Sequence, residues 1–475
     1  MRIPRIIQGG MGVGVSNWTL ARAVARAGGM GVVSGTALDA VLARRLQLGD
    51  QAGHLRRSLA RFPFPAMAER VLARWFVAEG KAPGAPFRAT PMPRERPSRD
   101  ALELAVVANF VEVDLAREGH DGPIGINYLE KIQLPTLPAL YGALLAGVEC
   151  VLMGAGIPRA IPGVLDRLAH GEEAELAFDV HGAGDGARHA THFDPRAFCG
   201  GAPPELARPA FLPIVSSATL AERFVRHATG RVDGFVVEGP TAGGHNAPPR
   251  GPLRLSEAGE PVYGERDRAD LAAFRTLGLP FWLAGSQGTP ERLAAALAEG
   301  AAGIQVGTAF AYCEESGLAP ELRRRVLAAL EAGELRVRTD PRASPTGFPF
   351  KVVELAGTSG VRATRRERAC DLGYLRQAFA TADGRVVWRC PAEPEADFTR
   401  KGGAPDDARE RLCVCNGLLA TIGLAQTRAD GGEELPLVTA SDELRSVLRF
   451  RSPGTGTYHA ADVVATLLGT GSPAS

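Results

Sequence analysis

Over its first 335 residues the chain alternates short apolar runs with amphipathic stretches, and this alternation restricts the fold more than any other feature. The apolar runs are Arg5–Gln8, Gly31–Ser34, Ile124–Tyr128, Cys150–Met153, Phe211–Val215, Gly234–Glu238, Pro280–Ala284 and Gly303–Val306. Strands covered by helices on both faces read in this way, without a polar side. Helical patterns follow nearly every run, at Asn17–Ala27, Ala37–Gln47, Thr136–Leu145, Arg159–Ala169, Ala218–His227, Arg268–Leu277 and Pro290–Glu299. Ser217, Asp267 and Thr289 stand where N-caps belong, with Pro290 in a first helical turn. Eight βα units are the number that closes an α/β fold into a (β/α)8 (TIM) barrel. A doubly wound open sheet is the alternative, disfavoured by the count alone.

Two insertions break the alternation. Leu38–His120 holds helices around a Pro-rich stretch at 82–97, and 174–208 reads as a hairpin turning at Gly182–Ala187. Beyond Asp340 the pattern is lost to a Cys-, Arg- and Gly-rich region running to about Gly432, with a last helix at Ala460–Leu468. The expected organisation is a barrel over residues 1–340, with insertions at 38–120 and 174–208, and a cysteine-containing C-terminal extension over 341–475 packed on it.

Charge removes two classes of partner. Lys and Arg number 54 against 53 Asp and Glu, for a net charge of +1, so no basic face is on offer to nucleic acid or an anionic membrane. The longest apolar stretch, Ala139–Ile157, carries Glu149 and several glycines, as a buried segment does and a membrane span does not. No targeting signal is visible, and seven scattered cysteines fit a reducing compartment. The expectation is a bacterial cytoplasmic protein acting on a small molecule, with homo-oligomerisation left open.

In a barrel, function sits in the loops after the strand C-termini. The first reads Gln8-Gly9-Gly10-Met11-Gly12-Val13-Gly14. It fails as a dinucleotide fingerprint, because Val15 stands where the third glycine belongs and the second strand ends in Ser34. What remains is backbone able to approach a flat ligand, with Met11 as an apolar cover. The loops after the seventh and eighth strands, Gly285-Ser286-Gln287-Gly288 and Gln305-Val306-Gly307-Thr308, open helices, and this is where barrels hold phosphate. The loop after the sixth runs Glu238-Gly239-Pro240-Thr241-Ala242-Gly243-Gly244-His245, presenting an imidazole suited to proton transfer at the barrel mouth.

These pieces carry a resemblance. Ile6 to Met11, Gly125-Ile126-Asn127, Glu238 to His245 and Gly303 to Phe310 look like the flavin-dependent nitronate monooxygenases, formerly 2-nitropropane dioxygenases. They are similar also to flavin-dependent enoyl-acyl-carrier-protein reductases and the enoyl reductases of polyunsaturated fatty acid and polyketide synthases. The resemblance implies one non-covalent FMN, with Asn127 at the polar edge of the ring and Glu238 where the family commonly has Gln. It implies Gly10, Met11, Gly243 and Gly244 along the ring, and Gly285, Ser286, Gln305, Val306, Gly307 and Thr308 at the phosphate. His245 would be the catalytic residue, as base or as polarising donor. Ser286 departs from a frequent glycine, and His245-Asn246-Ala247 departs from the usual His-x-Gly. The activity implied is oxidation of nitronates or nitroalkanes with O2. The alternatives are an NAD(P)H-dependent enoyl-thioester reductase, which alone would call for acyl carrier protein, and a non-catalytic flavin-binding subunit.

Other signals are weaker. Cys370, Cys390, Cys413 and Cys415 could close a zinc site or hold an iron–sulfur cluster, but lack paired Cys-x2–4-Cys spacing, so buried thiols are the plainer expectation. His181, His189 and His192 read as solvated hairpin histidines, and Arg323-Arg324-Arg325 as a solvated helix face. Thr346–Lys351 is either a closure over the barrel mouth or a rigid turn.

Overall fold

The computed structural model describes residues 4–184, 186–361, 368–428, 430–452 and 456–470. Its centre is eight strands: β1 (Ile6–Gln8), β2 (Gly31–Ser34), β3 (Ile124–Leu129), β4 (Cys150–Gly154), β5 (Ala210–Val215), β6 (Phe235–Glu238), β7 (Phe281–Ala284) and β8 (Gly303–Val306). They pair in parallel in the order β1-β8-β7-β6-β5-β4-β3-β2. The two ends of that order meet. Ile7 bridges Met30, the Gln8 N–H donates to the Met30 carbonyl at 3.0 Å, and the Met30 N–H to the Ile6 carbonyl at 2.9 Å. The sheet is therefore a closed barrel, and the open-sheet alternative falls.

Both strand faces are buried, as the unbroken apolar runs require. Ile7, Val32, Leu152, Leu212, Val236 and Trp282 fill the interior, while Ile6, Val33, Ile126, Val151, Phe211 and Ile304 face the helices. The Trp282 indole, inside a core that otherwise lacks polar partners, donates to the Pro4 carbonyl at 2.8 Å. The helix expected at Arg268–Leu277 is shorter, Leu271–Thr276, and its N-cap is Asp270. Asp267 is engaged elsewhere, accepting from the backbone N–H groups of Arg250 and Gly264 at 2.7 Å each.

The first insertion ends in the long helix Arg99–Arg117, which packs on the helices Trp18–Arg26 and Thr136–Leu145 and completes the shell between β2 and β3. Its buried carboxylates are neutralised by partners: Glu103 by Arg70 and Arg99, Glu112 by Arg45 and the Trp18 N–H. In the second insertion Ala174–Ala177 pairs antiparallel with Ala190–Phe193, the expected hairpin. Asp185, in its turn, lies outside the described residues. Val180–His181 leaves the hairpin to pair with Gln377–Ala380 of the tail. The antiparallel pair Arg336–Asp340 and Phe350–Glu354 runs across residue 340, and Phe350 also bridges His245. Among the described residues no helix is long and apolar enough to cross a membrane.

Candidate cofactor and active site

A cavity of about 480 Å³ opens at the C-terminal mouth of the barrel. It collects the residues singled out from every glycine-rich loop: Gly10 and Met11 after β1, Asn127 on β3, and Glu238, Gly243, Gly244 and His245 after β6. Gly285 and Ser286 after β7, and Gln305, Val306, Gly307 and Thr308 after β8, complete it.

The floor is backbone in close approach. A side chain at Gly10 would overlap Asn127, so only glycine lets these loops meet. Asn127 Oδ1 and Gln305 Oε1 are buried acceptors with no hydrogen-bond partner among the described residues. Leaving such an atom unpaired costs about 1–3 kcal/mol, so both oxygens are fitted to receive donors from a ligand. A ring bearing N–H groups meets that requirement, with Met11 beside Gly307 as apolar cover. The helices Pro290–Ala298 and Thr308–Ala311 begin at the far end, where the positive ends of the helix dipoles suit an anion. Ser286 is held there at φ 49°, a left-handed conformation unusual for a residue with a side chain.

Glu238 and His245 are among the titratable groups that face this space. Burial pushes the Glu238 carboxyl up to about 8, so it is a neutral acid at pH 7. Burial pulls the His245 imidazole down to about 4, so it is neutral too. His245 Nε2 lies 2.7 Å from Ser344 Oγ, and the ring packs edge-on against Phe350 with centroids 4.8 Å apart.

Residues beyond Asp340 wall the cavity: Phe348 and Phe350, from the stretch read as either a closure over the mouth or a rigid turn, line it, and a second segment had no sign in the local sequence. Leu437 to Ser441 and Glu443 line it. Thr439 Oγ1 accepts from the Gly244 N–H at 2.8 Å, Thr308 Oγ1 from the Ser441 N–H at 2.9 Å, and Glu443 from the Gly288 N–H at 3.1 Å. Gly243 is small for this reason as well as for a ligand, since a Cβ there would lie 2.8 Å from the Ala440 carbonyl carbon. Lys351, 2% exposed, pairs with Asp442 at 2.7 Å and ties this segment to the Thr346–Lys351 turn.

Three expectations need correction or restatement. Cys370, Cys390, Cys413 and Cys415 do border one small void, of about 10 Å³. No group of three or more His, Cys, Asp or Glu side chains among the described residues is arranged to hold a metal ion. Burial raises the Cys370, Cys390 and Cys415 thiols. Arg323 is not on a solvated face: it is 6% exposed and donates to the Cys313 and Glu314 carbonyls at 3.1 Å. His181 and His192 are exposed, stacking on Phe379 and lying near Glu173, and His189 is half-buried against Phe178.

The nitronate monooxygenase family model matches residues 206–344, from just before β5 to Ser344. The match thus falls on the second half of the barrel, β5 to β8. A probable nitronate monooxygenase of Bacillus subtilis (strain 168) is 34% identical over 119 residues, 25% of this chain and 32% of its own length. A (3aS,4S,5R,7aS)-5-hydroxy-7a-methyl-1-oxo-octahydro-1H-indene-4-carboxyl-CoA dehydrogenase of Mycobacterium tuberculosis (strain ATCC 25618 / H37Rv) is 29% identical over 177 residues, 37% of this chain and 45% of its own. Both alignments thus span under half of the relative. FabK from Thermotoga maritima overlays 98% of this chain on 92% of its own, with a TM-score of 0.48 and 16% identity. The family match contains His245, Gly285 and Gly307 but not Gly10 or Asn127.

Proposed function

We propose that the chain is an FMN-dependent oxidoreductase that oxidises nitronates or nitroalkanes with O2. One observation carries this reading: a single cavity joins unpartnered buried acceptors, two helix-opening glycine loops and a neutral imidazole. Asn127, Gln305 and Glu238 would meet the polar edge of the ring, Gly10 and Met11 its faces, and Gly285, Ser286, Gly307 and Thr308 the phosphate. When bound, FMN supplies the electron transfer that no side chain in the cavity can perform. The chain's own residues orient the substrate beside His245 and exclude bulk water with the segment from Leu437 to Glu443.

A second reading is kept for a specific reason. The mycobacterial relative is named for a CoA-linked substrate, which suits an NAD(P)H-dependent enoyl-thioester reductase using the same FMN site, with acyl carrier protein as its partner. Anaerobic mixing with NADPH, and separately with a nitronate, tests both by loss of the oxidised-flavin absorbance. Bleaching by nitronate supports the oxygenase, and rapid bleaching by NADPH alone supports the reductase. A colourless protein that takes up no added FMN sinks both and leaves a non-flavin role.

A further inference from the structure

The hydrogen bonds behind His245 form a chain whose direction can be worked out from proton supply. His245 Nε2 is 2.7 Å from Ser344 Oγ, and Ser344 Oγ is 2.8 Å from Thr346 Oγ1. Two backbone groups, which can only donate, feed the same pair: the Thr346 N–H reaches Ser344 Oγ at 3.2 Å and the Phe348 N–H reaches Thr346 Oγ1 at 3.3 Å. Each hydroxyl has one proton to give. If Ser344 gave its proton to Thr346, the Thr346 proton would have no acceptor among the described residues. Thr346 is 8% exposed and Ser344 0%, so water does not readily relieve that loss. Run the other way, both hydroxyl protons are spent, Thr346 to Ser344 and Ser344 to His245 Nε2, and the proton left over is the one on Nδ1 of a ring that lines the cavity.

We propose that His245 is held as the Nδ1–H tautomer, presenting a hydrogen-bond donor and not a base to the substrate, and that Ser344 is the positioning residue that fixes it. Nδ1–H is then the polar atom of the ring without a partner among the described residues, on a residue that lines the cavity. The neutral state of the ring, favoured by its burial, is consistent with this assignment. Phe350 and Phe348 flank the ring at centroid distances of 4.8 and 6.5 Å and restrict its rotation. The relay is itself anchored from the tail, because Arg411 Nη1 donates to the Arg342 and Ser344 carbonyls at 2.7 Å each. An N–H fixed in this way steadies negative charge gathering on a substrate oxygen, as on a nitro group or an enolate, without moving a proton.

The functional meaning rests on the proposed active site, but the tautomer is measured separately from it. Histidine-selective 15N labelling of the protein as purified, with His245 assigned by loss of its signals in His245→Asn, reports both ring nitrogens at pH 7. The expected spectrum has a protonated Nδ1 and an unprotonated Nε2, and Ser344→Ala shifts population toward Nε2–H. In the same variant kcat falls about 10- to 100-fold with KM little changed, the usual scale for a group that orients an active-site histidine. A protonated Nε2 in the parent protein overturns the inference, whether or not the variant folds. A protein with the Nδ1–H tautomer but no flavin sinks the proposed function and leaves this assignment standing.

Discussion

The barrel frames its share of the cavity with close-packed loop backbone that carries Asn127, Glu238, His245 and Gln305, whereas the segment Leu437–Glu443 is held in place by its side chains. Gly10, Gly285 and Gly307 sit at the ends of strands whose register is fixed by a closed ladder, so main-chain positions there follow from the fold. The tail has no such ladder over Leu437–Glu443. It is placed by Thr439, Asp442 and Glu443 reaching across to Gly244, Lys351 and Gly288. Lys351 is buried and Asp442 exposed, so losing Asp442 would leave a buried ammonium without its counter-charge, and this wall is specified by a few individual side chains. Backbone gives the general cofactor cradle, and the tail gives the chemistry its orientation.

The largest expected effect falls where the two regions meet. His245 is a barrel-loop residue whose ring is aimed by Ser344 of the tail. His245→Ala is expected to lower turnover by roughly 100- to 1,000-fold, the scale for losing a placed charge-stabilising donor, with flavin content unchanged. A donor serves nitronate and neutral nitroalkane alike, so both activities should fall together. Steady-state rates on both substrates check this, and a collapse confined to nitroalkane would restore the base role and undo the distinction drawn above.

A backbone-built end is sharpened by a substitution that adds charge without strain. Gly307 sits at φ −103°, open to any residue, and a Cβ there meets only the flexible Met11 side chain at 3.4 Å. Gly307→Asp therefore tests the anion site and not the fold. Flavin binding should weaken by at least about 2 kcal/mol, roughly 30-fold in Kd. Retention of full flavin through dialysis, read from the visible spectrum, would remove the phosphate from this end.

How much of this was legible follows the same division. Strands buried on both faces leave unbroken apolar runs, so β2 and β8 were legible to the residue and β4 to within Gly154. The loop glycines were legible because the barrel dictates where ligands go. Asp267 and Asp270 are equally good caps by local pattern, and only the Arg250 contact separates them. Arg323 looked solvated because a charge run carries no trace of the Cys313 carbonyl that captures it. Ser344 and Glu443 lie in aperiodic sequence, where nothing local marks a residue that acts across the chain. Gly243 was found for a ligand, yet Ala440 is an equal reason for it.

Glu238 gives a smaller effect, with a defined sign. Its carboxyl is ordinary in the unfolded chain, near 4.5, and raised to about 8 in the cavity. A raised acid contributes stability that is full below about 4.5 and is lost as pH rises through about 8. The barrel should therefore lose stability across that window, and Glu238→Gln should flatten the loss by about 1 kcal/mol or more between pH 5 and pH 8. Denaturant midpoints of both proteins across that range measure it. Parallel pH dependences would show that Glu238 ionises normally and that the cavity is wetter than its burial indicates.

The smallest effect concerns what holds the tail together. A structural ion in its cysteine cluster would make the tail a metal-organised unit, unlike the packed barrel. The void there is close to the volume of one water. Cys390 packs in the apolar cluster that contains Leu375, Val414 and Leu418, and its thiol is raised by burial first and then by Cys413 and Cys370 nearby. Packing of that kind stabilises thiols as small apolar groups and needs no ion. Prolonged treatment with a strong chelator should therefore leave the thermal midpoint within about 1 °C, whereas loss of a structural zinc removes folding free energy outright. Stoichiometric zinc or iron by elemental analysis, together with a large drop in midpoint on chelation, would show that the tail is organised by metal and not by the same apolar packing as the barrel.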